Sequence, residues 1–541
     1  MIQRITLTIL TTFGICLFSS AQLLKHYSEF DLEWGPLFRA SGNVESLVRT
    51  TDGEYYSLVN KTNFYNLFVD YKKRYYFESV VALEPGKRMK LKLTGEGRRT
   101  NLEDLTVIGD QIALVSKENY LGSKQTRIFY HLLKPNRYGL DSEGFLIGEF
   151  PLLSARSDMS YLGLRNDLNK SKAGFFFTSR TLNDDFLNYT FGILDQNGQL
   201  TSKKESSLPF SADELQVIDS YLSTAGDYFV LTRSIDEKDR YGEGWTAERH
   251  MDIRVFKMVD GELNDLKINQ SQYMLTEVNI ISDKSENLIF SGLYSASPRG
   301  NVEGIFFIMT DQEGKLITRE FHPFSSEFLL SNNPSWSNRG LLHFDRSGRA
   351  IEGVSDFKMH NLRQTSDGGY IAIAEHFEIE ERFSGSGTPG SSNRIDTYYY
   401  YDDLLIYKLD KNGALEWKKN VPKLQSSIND GGYYLSIVQA LNDSTLFILF
   451  NDNVKNYDDM NYYLNLENVR SATFTARKNT IAMVEINLRT GTEERYSLLG
   501  KKEMSTVLVP GICRENPENN ELFLYSRSGK RHRYGRLIFK D

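Results

Sequence analysis

Two cysteines in 541 residues cannot build a disulfide framework, so the chain is not a stapled miniature fold. Proline is scarce too, at 12 residues, which argues against an extended proline-rich rod. Positive charge is not in excess. Lys plus Arg number 64 against 71 Asp plus Glu, a net charge of -7, which excludes polyanion or nucleic-acid binding by bulk charge. After the first residues no apolar run approaches the length of a membrane span. Familiar catalytic signatures are missing as well. There is no G-x-S-x-G elbow, no Walker A loop, no H-E-x-x-H and no C-x-x-C. What is present is aromatic: 33 Phe and 31 Tyr within an ordinary globular composition of 40% hydrophobic and 25% charged residues.

The first residues read as an address. Met1–Arg4 carries one positive charge, Ile5–Phe18 is mostly apolar, and Ser19-Ser20-Ala21 puts small residues before Gln22. That is the pattern of a secretory signal cut after Ala21. The expected division is therefore a signal peptide over 1–21 and a single mature domain over 22–541. The mature protein is expected in the periplasm, on the cell surface or outside the cell. Cys513 then remains as a lone cysteine, read as a small buried apolar residue.

One unit recurs along the rest of the chain. In its clearest copy, Lys358–Thr365 is a strand and Ser366-Asp367-Gly368-Gly369 is a turn. Tyr370–Phe377 alternates as a second strand, and Asp403–Leu409 makes a third. Asp410-Lys411-Asn412-Gly413 is a hairpin turn and Ala414–Val421 a fourth strand. Four antiparallel strands with three connections make a propeller blade. Six further copies recur: one carries both Asp52-Gly53 and Pro85-Gly86, one runs from Leu102 to Phe150, and four are marked by Asp195–Gly198, Asp260-Gly261, Asp311–Gly314 and Arg489–Gly491. Thr506–Ile512, Leu522–Ser526 and Arg536–Phe539 supply three more strands. Phe30–Arg39, taken as one strand, would complete an eighth blade and close the ring. The expected fold class is all-β, a single propeller of about eight four-stranded antiparallel blades, with seven as the alternative. Gly340–Gly353, with its own Asp345–Gly348 turn, blurs the count near the fifth blade.

The run Gln364-Thr365-Ser366-Asp367-Gly368-Gly369-Tyr370-Ile371, followed by Leu409–Gly413 and Trp417, resembles the repeat of uncharacterised secreted bacterial β-propeller proteins. The resemblance covers about one unit and implies an exported all-β protein. It brings no catalytic residue with it, because the motif is turn chemistry. Thr365-x-Asp367-x-Gly369 is also similar to part of the Asp-box of sialidases. It departs from that box at Ala372, where the box has Trp or Phe, and in following a first strand.

Function is sought in the loops. In a meander blade the connections between strands two and three, and between one blade and the next, share one end of the ring. The long segments fall there: Lys61–Tyr75, Asp236–Met251, Phe324–Gly353, Glu378–Asp402 and Asp452–Asn479. Their candidate binding residues are Tyr65, Tyr71, Tyr241, Trp245, Trp336, Tyr398, Tyr399, Tyr400, Asp402, Tyr457 and Tyr462. Tyr and Trp offer rigid area with a polar tip, suited to sugar rings or protein partners. Gly385–Asn393 is flexible by composition. The eight histidines are scattered without ligand spacing, so no metal and no cofactor is expected. The first expectation is a monomeric, non-catalytic exported propeller that binds a protein or a glycan, not nucleic acid, through one loop-rich face. The alternative is a propeller hydrolase or lyase acting on polysaccharide or peptide at the axial pocket. That would require ionisable side chains converging on the axis.

Overall fold

The computed structural model describes residues 25–26, 30–40, 42–50, 53–61, 74–120, 124–133, 140–151, 159–180, 186–211, 214–234, 252–268, 272–296, 302–325, 328, 357–384, 394–465, 469–499 and 505–540. Eight antiparallel blades of four strands stand in a ring, an eight-bladed β-propeller, with 69% of the described residues in strands. The seven-blade alternative falls away. The first strands of neighbouring blades meet around the axis, as Asn101–Ile108 does with Met159–Asn166 and Met274–Ser282 with Phe357–Gln364.

The turns follow from side-chain chemistry. Asp195 Oδ1 accepts the backbone N–H groups of Asn197 and Gln199, and Asp410 Oδ1 accepts those of Asn412 and Ala414. Each loop thereby folds back two and four residues on, which is what aspartate does at a turn. The glycines close these turns. Gly198 and Gly413 have φ of +73° and +89°, and each lies on the preceding blade. A Cβ at Gly413 would come within 2.1 Å of the Phe307 ring, and one at Gly198 within 2.4 Å of Leu132. The hairpin turn therefore also sets how closely two blades approach.

Apolar strand faces interlock from blade to blade. Eight clusters of buried residues lie one at each junction around the ring. The junction between the last blade and the first is among them, joining Phe523, Tyr525 and Tyr534 to Val44, Leu47 and Val59. Closure is made by strand exchange between the chain's two ends. Phe30–Trp34 pairs antiparallel with Gly535–Phe539 and supplies the fourth strand of the last blade. Here two readings need correction. The segment read as one strand over Phe30–Arg39 is two, Phe30–Trp34 and Phe38–Arg39, both on the final strand Arg531–Phe539. The segment read as a strand over Thr506–Ile512 is Val507–Leu508, then a 3-10 turn over Pro510–Ile512, with pairing resumed at Arg514–Asn516. Gly340–Gly353 lies outside the described residues.

Candidate functional site: the axial cavity

First strands begin, and second strands end, at the same end of the ring. All five long segments depart from strand ends on that side. One of them is largely not a loop. Tyr370–Ser384 and Arg394–Leu409 pair from Tyr370 with Leu409 out to Ser384 with Arg394, so Glu378–Asp402 is mostly the outer part of a long hairpin. Alternating β-formers, with Tyr398–Tyr401 facing Phe377–Glu380, carry the ladder past the blade. Gly385–Asn393 lies outside the described residues.

The candidate binding residues separate into three groups. Tyr65, Tyr71, Tyr241, Trp245 and Trp336 lie outside the described residues. Tyr398 and Tyr399 are half-buried on the long hairpin, the Arg382 guanidinium lying 4.4 Å from the Tyr398 ring centre, and Tyr462 is exposed. Tyr400, Asp402 and Tyr457 are buried, and this corrects their reading as surface groups. Asp402 Oδ1 accepts the Gln425 N–H at 2.9 Å. Tyr457 donates to Asp452 Oδ2 at 2.8 Å, beside the buried Arg495, whose Nη2 lies 2.5 Å from the same oxygen. Tyr457, Asp452 and Arg495 fix the start of the Asp452–Asn479 segment, and burial, helped by the Asp452 carboxylate and opposed by Arg495, raises the Tyr457 pKa well above the ordinary tyrosine range.

The same end of the axis holds a cavity of about 820 Å³. Its walls come from the first, sixth, seventh and eighth blades. Asn43–Glu45, Lys358, His360, Asn361 and Gln439 arrive on first strands, and Val509–Glu515 on the irregular strand of the last blade. Glu375, Phe377 and Tyr401 come from the second and third strands of the sixth blade, and Gly431, Gly432, Tyr433, Leu435 and Ser436 from the connection into the seventh.

One wall is a charged cluster built around Glu375, which is buried. Lys423 Nζ lies 2.7 Å from Glu375 Oε1, while Glu375 Oε2 accepts from His360 Nε2 at 3.0 Å and from Ser436 Oγ at 2.6 Å. Burial alone would protonate this carboxyl. The Lys423 ammonium and the His360 contact outweigh it and hold the pKa down to about 2. Lys423 is itself buried and also donates to the Tyr401 carbonyl at 2.6 Å and to Gln425 Oε1 at 3.1 Å. Ser436 sits at φ +74°, a costly conformation for a residue with a Cβ. Its N–H donates to Gln425 Oε1 at 2.8 Å and its hydroxyl to Glu375, so two polar contacts hold it there. His360 is a quarter exposed at the cavity wall. Its Nε2 faces the Glu375 carboxylate, which orients the ring at the cavity wall. Tyr401, whose ring meets Phe377 edge-on at 4.8 Å, has its pKa pushed up to about 12, mainly by burial.

Among the described candidate binding residues, Tyr398, Tyr399, Tyr400, Asp402, Tyr457 and Tyr462, none lines this cavity; their neighbour Tyr401 does. The wall residues come from separated stretches between Asn43 and Glu515, with no local spacing to betray them. The one signal in the sequence was position, since each first strand must begin at the loop-rich end. Among the described residues no cluster of His, Cys, Asp and Glu suits a metal ion, and no helix is long and apolar enough to cross a membrane. The Asp-box-like turn lies at the opposite end, where Asp367 accepts from Thr365 Oγ1 and from Lys408 Nζ, both at 2.5 Å.

No family model and no curated protein matches the chain. Solved structures similar to it include prolyl oligopeptidase B from Galerina marginata, 10% identical with a TM-score of 0.38, where the match covers 92% of this chain and 55% of the peptidase. The chain thus spans about half the length of that protein. The WD40 domain of SCAP from fission yeast is 9% identical, TM-score 0.37, covering 96% of this chain and 98% of that one. The polysaccharide lyase Uly1 is 9% identical, TM-score 0.36, covering 81% and 89%. At this level of similarity none of the three assigns a chemistry to the chain.

Proposed function

We propose that the protein is an exported binding propeller that captures a glycan or a protein at the loop-rich end of its axis, without chemistry of its own. The observation that carries this reading is the cavity of about 820 Å³ at that end. It is large enough for a small ligand or a few sugar rings. Its wall offers the aromatic rings of Phe377, Tyr401 and Tyr433 beside the side-chain amides of Asn361 and Gln439. Glycan-array and pull-down capture by the chain from Gln22 onward tests it. Asn361→Trp fills the cavity from an exposed strand position. Loss of capture at unchanged melting temperature supports the reading, and undiminished capture by that variant refutes it.

One observation favours the second reading, a hydrolase or lyase at the same place. His360 is oriented by an ionised, buried carboxylate, the arrangement that fixes an imidazole as a general base. Following the chain length of polysaccharide and peptide substrates over time, with His360→Gln as control, separates the two. Shortening that disappears in the variant replaces binding with catalysis.

A further inference from the structure

The cavity's charges sort into those already matched and those left over. Glu375 is matched by Lys423 and His360. Both Glu515 carboxylate oxygens accept from Arg363 Nη1, at 2.9 and 2.8 Å, and Oε1 also accepts the Leu441 N–H. Two cations are left. Lys358 is exposed on the strand Phe357–Gln364, and Arg514 is half-buried on the strand Arg514–Asn516. Neither makes an ion pair among the described residues. Arg514 Nη1 donates to the carbonyls of Gly511 and Cys513, at 2.9 and 2.7 Å. Its Nε and Nη2 have no hydrogen-bond partner among the described residues. Burial lowers its pKa with no neighbouring carboxylate to offset the effect. Lys358 Nζ lies 5.7 Å from the centre of the Phe377 ring, within the same wall. The opposing charge is Glu45, an exposed carboxylate that accepts from Asn60 Nδ2 at 2.5 Å.

A half-buried guanidinium that lacks an acidic partner is costly unless a ligand supplies one. An Arg fork with free donors also matches a carboxylate in geometry as well as charge. Around the two cations stand Asn361 and Gln439, whose amides make no side-chain hydrogen bond among the described residues, and the rings of Phe377, Tyr401 and Tyr433. Amides that both donate and accept suit hydroxyl groups, and aromatic faces suit sugar rings. Resting on the reading of this cavity as the ligand site, we infer that the ligand is an acidic glycan, whose carboxylate is taken by Arg514 and Lys358 and whose hydroxyls are taken by Asn361 and Gln439. A chain of net charge -7 thus carries a local site of the opposite preference.

The test is calorimetric titration of the chain from Gln22 onward with oligogalacturonate, with the same oligomer fully methyl-esterified, and with polyglutamate. Oligogalacturonate should bind, and esterification should weaken it about tenfold or more, as loss of a charge-assisted contact does. Lys358→Gln and Arg514→Gln should each weaken it similarly. Glu45→Gln should tighten binding. Lys358 is exposed, so its variant keeps the inference testable if Arg514→Gln fails to fold. Equal binding of the charged and esterified oligomers overturns the acidic preference while leaving the cavity reading intact. Tighter binding of polyglutamate, abolished by the same two variants, overturns the glycan and assigns an acidic peptide. Binding of no probe overturns the inference. If Asn361→Trp also leaves glycan-array capture unchanged, the cavity reading falls with it.

Discussion

The junction between the third and fourth blades and the junction between the sixth and seventh perform the same task with different chemistry. The first is aromatic. Phe176 lies 5.3 Å from Tyr189 and 6.2 Å from Tyr228, ring centre to ring centre, among Phe191, Phe210 and Phe256. The second has an aliphatic centre of Ile371, Ile373, Ile406 and Ile448, and beyond it a buried polar layer. In that layer Asp452, Arg495, Lys423, Glu375, Gln425 and Asn451 are all buried. The polar layer lies at the cavity end of the ring, where a long connection returns toward the axis. A return that deep buries backbone groups that need partners, and polar side chains supply them. Asn451 shows this, its Nδ2 donating to the carbonyls of Tyr434 and Leu508 at 2.8 Å each. The aromatic junction tolerates change by degrees. The polar one holds only while every partner is present.

The largest effect should come from opening the polar layer. Arg495→Ala leaves Asp452 buried without its cation and is expected to cost about 4 kcal/mol. The double variant D452L/R495M should recover only part of this, because Asn456 and Tyr457 also donate to Asp452 and would lose their acceptor. Urea denaturation of both single variants and the double gives the coupling directly. A full recovery would show that the layer contributes no more than an apolar core would.

This contrast also marks what could be read in advance. The hairpin turns were legible because Asp and Gly act locally, and they sufficed to place most strands and the ring closure. Asp283 escaped notice, although its Oδ1 accepts from Ser285 and Asn287 in the same way. No glycine marks that turn; Glu286 takes the positive φ instead, at +66°. The cavity was not legible. Lys358 and Glu375 face each other across one hairpin, but Arg514 joins them only through blade packing, and no spacing in the chain foretells that. The aromatic stretch Tyr398–Tyr401 was read as a loop surface, because four tyrosines in a row satisfy a strand's alternation and a binding patch's composition equally well.

Acid should separate buried polar groups by the pH window in which each loses its contribution. His131 is buried in the second blade against Ser116 Oγ at 2.6 Å, and burial lowers its pKa to about 4. The unfolded chain takes up a proton near pH 6.5 and the folded chain does not. Stability should therefore fall between pH 6.5 and about 4, by up to about 3 kcal/mol, and that contribution stops changing below pH 4. Glu375 acts in a lower window. Its depressed pKa stabilises the fold above the ordinary carboxyl range, and this support is lost as pH falls from about 4.5 toward 2. Melting temperatures of His131→Gln and the parent chain, followed from pH 7.5 to 4, should converge as the pH drops. Parallel curves would refute the assignment to His131.

The aromatic junction should give way more gently. Phe176→Leu keeps an apolar side chain against Tyr189 and Tyr228 and is expected to cost roughly 1–2 kcal/mol. Asp452→Asn, a smaller change in shape, should cost more than this, because it removes the charge that Arg495 requires. If the phenylalanine variant proves the more damaging of the two in urea, the proposed difference between the junctions is wrong.

The smallest effect tests how sharply the cavity ends. Cys513 contributes to its wall, yet the side chain is turned inward and buried. The Tyr525 N–H donates to its Sγ at 3.3 Å, the thiol faces the Val509 carbonyl at 3.4 Å, and burial pushes its pKa up to about 12. In the chain from Gln22 onward it is the sole thiol. Only a thiolate reacts, so native Cys513 should be alkylated by iodoacetamide at pH 8 roughly 100-fold or more slowly than in urea. Cys513→Ala should change stability by less than about 1 kcal/mol. Rapid labelling of the folded chain would mean that the wall opens there, and the backbone carbonyls of Gly511 and Cys513 that position Arg514 would then not be fixed.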